Sequence, residues 1–241
     1  MEVVTVSLEL SGPDASRPYI DAARPEHPSL LDPTHRMDAL FGVVNIPNVV
    51  WIDEQGTIVR PAEPGWPSPH YELPAEVFKS RPKTVRAKTA PTPPERGPGQ
   101  QSVLTSGQER ATYHEAIRDW ADKGAESEFA LAPDEVIARS QPRSMAESAG
   151  AAHFELANHL WRTGVRERAT AHFVESHRLQ PDNWTYKRQA WSLASNERVG
   201  GDIGRFVQGP LEGEEDAWPY DSDFRSDVSM LGDGMYYPKT L

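Results

Sequence analysis

The sequence predicts an α/β segment followed by an all-α region. Three observations carry this. Strand-like stretches at residues 3–8 and 49–59 are separated by short helix-compatible runs. Residues 61–101 are rich in Pro, Lys, Arg and Thr and read as exposed chain. Residues 150–183 place apolar and small side chains at the spacings of a helix–turn–helix unit about 34 residues long. The expected division is 1–60, a partial α/β domain; 61–104, a Pro-rich linker or insert; 105–199, a helical region; and 200–241, an acidic, aromatic tail.

Composition narrows the function. The chain has 241 residues and a formal net charge of −11. A surface of that sign repels phosphate backbones, so nucleic acid is not an expected partner. No apolar run approaches the length of a membrane span, and the first residues lack the basic and apolar regions of a signal peptide. As written, the chain reads as soluble and cytoplasmic. It contains no cysteine, which removes disulfides, thiolate nucleophiles and thiolate metal ligands.

The elements follow in order. Residues 3–8 are β-branched and nearly all apolar and read as a buried strand. Ser11-Gly12-Pro13-Asp14 breaks it, residues 15–24 predict a short helix, and Pro25 and Pro28 end that helix. Ser29-Leu30-Leu31 is a short extended piece. Asp32-Pro33-Thr34 can cap a helix through Phe41, which Gly42 closes. A strand runs from Val43 to Ile52. Asp53-Glu54-Gln55-Gly56 is turn chemistry, so Thr57-Ile58-Val59 should pair back as a hairpin. One helical turn is expected near residues 75–79. Residues 107–122 predict a helix with Ala111, Ile117 and Trp120 available for packing, and Ala132-Pro133-Asp134 starts another.

Within 150–183, Leu156, Ala157, Leu160, Gly164, Ala169, Phe173 and Pro181 resemble one tetratricopeptide unit. Ala157 and Ala169 allow two antiparallel helices to approach, Leu160 and Phe173 fill the seam, and Pro181 ends the second helix. One unit cannot bury its own faces. A third helix at 184–196 is expected to cap it, with the helices of 107–140 on its other side. The tail either wraps the domain, with Trp218, Phe224, Tyr236 and Tyr237 as anchors, or is partly disordered.

Pro47 stands at the mouth of the most strongly apolar strand, although proline cannot donate to a sheet ladder. With VVTVSLEL, HPSLLDPTHRMDALFGV and VNIPNVVWIDEQGTIV in order, residues 3–59 resemble redoxins of the ResA/TlpA thiol–disulfide oxidoreductase type, a thioredoxin-like fold. The resemblance implies a cis proline at Pro47 bordering an active site. The backbone of Ile46 would be aimed at a bound substrate chain, and Asn48 stands where Thr is common. A trans proline opening an edge strand is the alternative.

The family's Cys-x-x-Cys strand and helix are not matched by any part of this sequence. In the family's sheet that strand lies between those matching Val3–Leu8 and Val49–Ile52. Leaving it out exposes backbone groups whose unpaired burial costs about 1–3 kcal/mol each, against a folding free energy of roughly 5–15 kcal/mol. The expectation is therefore an N-terminally shortened chain, through a misplaced start codon or a selenocysteine UGA read as a stop. The alternative is a degenerate domain used for contact. Either way no catalytic residue is assigned. Ile46, Pro47 and Asn48 are the site remnants, and no metal or cofactor is expected. The parent chemistry is thiol–disulfide or peroxide reduction. The competing function is a non-catalytic module that binds a protein or peptide through the repeat.

Other constellations carry less. His153 and His159 lie six apart, and His172 and His177 five apart. Metal pairs on one helix need three or four. Asp221-Ser222-Asp223 imitates a metal motif but suits a solvated loop. Asp32 reads as a cap and Asp53 as a turn residue. Lys79, Arg81, Lys83, Arg86 and Lys88 form a small basic stretch able to dock an acidic partner or the chain's own tail.

Overall fold

The computed structural model describes residues 1–66, 82–92, 107–140, 142–199, 207–231 and 236–237. In chain order its elements are β1 (Thr5–Ser7), α1 (Pro13–Ala23), β2 (Ser29–Leu31), α2 (Arg36–Phe41), β3 (Asn48–Ile52), β4 (Ile58–Pro64), α3 (Gly107–Lys123), α4 (Pro133–Arg139), α5 (Met145–Arg162), α6 (Arg166–Leu179), α7 (Trp184–Val199) and α8 (Phe224–Met230). The protein is mixed α/β and mostly helical, with two small sheets among the described residues. The helical turn expected near residues 75–79 lies outside the described residues.

The chain groups into two compact units, Met1–Gly42 with Arg143–Pro181 and Val43–Pro142 with Asp182–Leu241. These units cut across the linear segments 1–60, 61–104, 105–199 and 200–241, because packing joins stretches that sequence order separates.

In the first unit β1 and β2 pair in parallel, with Val6 opposite Leu30. Helix α1 connects them. Pro13 occupies its first turn, where a missing N–H costs nothing. The strand is shorter and more open than residues 3–8 predict, with Val3 and Val4 45% and 57% exposed. Two three-residue strands have too little surface to cover both faces of a parallel pair. The cap position of α2 is taken by His35, at φ 57°, while Asp32 reaches in from three residues earlier, its carboxylate accepting from the N–H groups of Met37 at 2.6 Å and Thr34 at 3.2 Å. Burial would raise its pKa, but the backbone donors hold it below the usual value. Gly42 ends the helix at φ 73°.

The same unit contains the antiparallel hairpin of α5 and α6. Helix α5 begins before the repeat pattern does, at a capping box in which Ser144 and Glu147 satisfy each other's backbone donors. Gly164, at φ 83°, makes the turn between the helices. Phe154, Ala157, Ala169 and Phe173 are fully buried in the seam, with the two phenylalanine rings 5.7 Å apart edge to face. Helix α2 is tied to this hairpin by His35, whose ring meets Phe154 at 5.1 Å and whose Nδ1 lies 2.8 Å from the buried Asp38 carboxylate.

In the second unit β3 and β4 pair antiparallel, with Asn48 opposite Pro64 and Ile52 opposite Ile58. The expected Asp53 turn closes the hairpin, its Oδ1 accepting from Gln55 and Thr57 N–H at 3.0 and 2.8 Å. Trp51 forms the core with Tyr113 and Ala116 of α3, and Ile117 and Trp120 pack against it. Trp51 stacks on Trp120 at 4.9 Å. Arg60 and Glu63 form a buried, two-pronged ion pair at 2.7 and 2.9 Å.

Helix α7, expected to cap the repeat, instead groups with this second unit, as does α3. The reason lies in its aromatic first turn. Trp184 packs edge to face on Phe224 and Tyr236, at 6.2 and 4.8 Å. Phe224 and Tyr236 are thus tail anchors in the expected way. Trp218 is buried, with Tyr220 at 5.5 Å, and Tyr237 meets Trp66 at 4.9 Å. The described part of the basic stretch docks on the tail. Lys88 pairs with Asp216, Arg86 donates to Ser226 Oγ at 3.3 Å, and the Ala87 N–H donates to Asp223 at 2.8 Å.

Candidate functional site

Three places carry the residues singled out by sequence. The first is the loop before β3. The Ile46–Pro47 bond is cis, the geometry the resemblance implies. Both backbone groups of Ile46 are already engaged. Its N–H donates to Asn45 Oδ1 at 2.9 Å, and its carbonyl accepts from the Tyr237 hydroxyl at 3.2 Å. The Pro47 carbonyl accepts from the Gly65 N–H at 3.3 Å. Gly65 admits no side chain, because a Cβ there would stand 2.5 Å from Val49 Cγ2. Asn48 opens β3 with its Oδ1 buried and without a hydrogen-bond partner among the described residues.

The second place is the hairpin. Ala157, Leu160, Ala169 and Phe173 are buried in the seam, Gly164 makes the turn, and Pro181 follows the end of α6. Leu156 differs, being 41% exposed. It stands on the side of α5 turned away from α6, the side a stacked neighbour covers in a longer array.

That side of α5 forms the third place, a groove of about 360 Å³ lined by Thr34, Glu155, Leu156, Asn158, His159 and Arg162. Asn158 is only 4% exposed, yet both polar atoms of its amide lack hydrogen-bond partners among the described residues. An amide left in that state costs about 1–3 kcal/mol. The groove therefore offers an apolar side chain, an imidazole, a guanidinium and one carboxylate.

No protein-family model matches this chain. Neither does a curated protein or a solved structure.

The remaining motifs resolve into packing. Asp223 is buried and caps α8, accepting from the Ser226 N–H at 2.9 Å, so the Asp221-Ser222-Asp223 run acts as a clamp. Histidine spacing within each helix pointed away from a pair. The structure brings together His153 of α5 and His172 of α6, their Nδ1 atoms 2.8 Å apart. A reading along single helices cannot find this contact. The signal available was the hairpin itself, whose antiparallel register sets which residues of the two helices meet.

Proposed function

We propose that this chain is a protein-binding module without thiol chemistry of its own, built from redoxin-like strands and a tetratricopeptide-like hairpin. The groove on α5 carries the reading. Leu156 supplies an exposed apolar anchor beside the buried, unpartnered amide of Asn158. An extended peptide suits this surface, because one apolar side chain covers Leu156 while its main chain meets the exposed polar side chains of Glu155, His159 and Arg162. The redoxin likeness is supported by the order β–α–β–α–β–β, the parallel first pair and the antiparallel last pair. It also fits that β1 and β3 belong to separate sheets, since in the family another strand stands between their counterparts.

With no cysteine in the sequence, no thiolate of this chain attacks a disulfide, so an insulin-reduction assay should be blank. Turnover there would overturn the non-redox part of the reading. The binding part is tested by selecting peptides from a displayed random library and remeasuring the best binders on Leu156→Glu and Arg162→Glu. A loss of about tenfold or more on either variant is expected, the scale on which truncating an interface anchor weakens binding. Failure to enrich any peptide, or binders indifferent to both changes, would sink it.

A further inference from the structure

We propose that His153 and His172 form a two-imidazole chelate for a divalent transition-metal ion that takes cis nitrogen ligands, Cu²⁺ or Ni²⁺ in chemistry. The placement comes from the hairpin. Phe154 and Phe173, each next in sequence to one histidine, are fully buried and fix the two helices against each other. The imidazoles project from the same level of α5 and α6 with ring centroids 5.0 Å apart and planes tilted by 39°. Both rings are half-buried, so water can reach the site and fill the remaining coordination positions.

The distance is close to that of a chelating pair. With metal–nitrogen bonds of about 2.0–2.1 Å, ligands at right angles stand about 2.9 Å apart and tetrahedral ligands about 3.3 Å apart. The observed Nδ1–Nδ1 separation is 2.8 Å. That separation is a hydrogen bond of the metal-free pair, so a shift of a few tenths of an ångström brings both nitrogens to chelating distance, and the general order of affinities for nitrogen ligands places Ni²⁺ and Cu²⁺ above the earlier first-row divalent ions. The absence of cysteine leaves imidazole as the strongest ligand the chain has.

The protons balance without a co-reactant. In the metal-free pair one Nδ1–H donates to the other Nδ1. The donor ring loses that proton to water and takes one at Nε2, becoming the other neutral tautomer, and both Nδ1 lone pairs then face the ion. The facing charges are Arg168, which opposes a cation, and Glu175, which favours one while held by Arg178 at 2.8 and 2.6 Å. Among the described residues no group of three or more His, Asp or Glu side chains is gathered for a metal. The site is thus a two-ligand chelate completed by water.

The test is titration of the full chain with Ni²⁺ or Cu²⁺ alone, followed by calorimetry and by paramagnetic broadening of backbone amide signals. One equivalent should bind, with broadening centred on residues 150–156 and 169–175. His153→Phe and His172→Gln should each weaken binding by about tenfold or more, with helicity retained by circular dichroism. Broadening centred elsewhere in the wild-type chain would overturn the site even if a variant fails to fold. So would unchanged affinity in either folded variant, the mark of an adventitious ion only.

Discussion

Asn45 holds Tyr236. Its side-chain amide donates to the tyrosine's main-chain carbonyl at 2.7 Å, across 191 positions of sequence. Both residues are buried, so the bond is shielded from competing water. Replacing Asn45 with Ala would leave the carbonyl buried and unpaired, at a cost of about 1–3 kcal/mol. Chemical denaturation should show that loss. Hydrogen exchange should show faster exchange at the Tyr237 amide and in the first turn of α7, where the Thr185 N–H donates to the Val44 carbonyl at 3.1 Å. A variant as stable as wild type would mean that the tail is not anchored through Asn45.

The hairpin of α5 and α6 should lose stability in mild acid. His172 has a folded pKa below its ordinary 6.5, so near and below that value the unfolded chain binds more protons than the folded one. Stability then rises with pH across this window. The contribution is present above about pH 6.5 and is lost as pH falls towards the depressed folded value. Protonating His172 would add a positive charge to a half-buried ring beside Arg168. Thermal melts between pH 7.5 and 5 should show a falling midpoint whose slope lessens in His172→Gln. An identical slope in that variant would assign the effect to other groups.

Arg60 and Glu63 are buried together, 3% and 2% exposed, and Arg60 also donates to the Phe129 carbonyl at 2.7 Å. Glu63→Ala should cost about 3–5 kcal/mol by leaving a buried guanidinium without its counter-charge. The double change Arg60→Met with Glu63→Leu should recover most of that loss, because both desolvated charges go at once. If the double variant is as damaged as the single one, the pair's main contribution is shape, not charge. Equilibrium urea unfolding of the three proteins decides it.

Local features were legible in the sequence where one or two residues dictate geometry. Asp53 with Gly56 required the turn of β3 and β4, Asp32 and Gly42 bounded α2, and the resemblance marked Ile46–Pro47 as cis. The helix expected at 107–122 spans Gly107–Lys123, and the proline of Ala132-Pro133-Asp134 marked where Pro133–Arg139 starts, though not where it ends. What could not be read depends on contacts between distant stretches. The His153–His172 pair needs the register of two helices, which spacing along either one leaves open. The exposure of Leu156 depends on a neighbour that a single repeat does not specify. The capacity of Trp184 to draw α7 towards Phe224 and Tyr236 comes from residues about 40 to 50 positions away, beyond the reach of any local pattern.

Met1–Gly42 keeps company with Arg143–Pro181, so the polypeptide passes between its two bodies three times, after residues 42, 142 and 181. A ribosome therefore releases the opening strands long before their packing partner exists. Those strands must wait, exposed or chaperoned, until the hairpin of α5 and α6 has been synthesised.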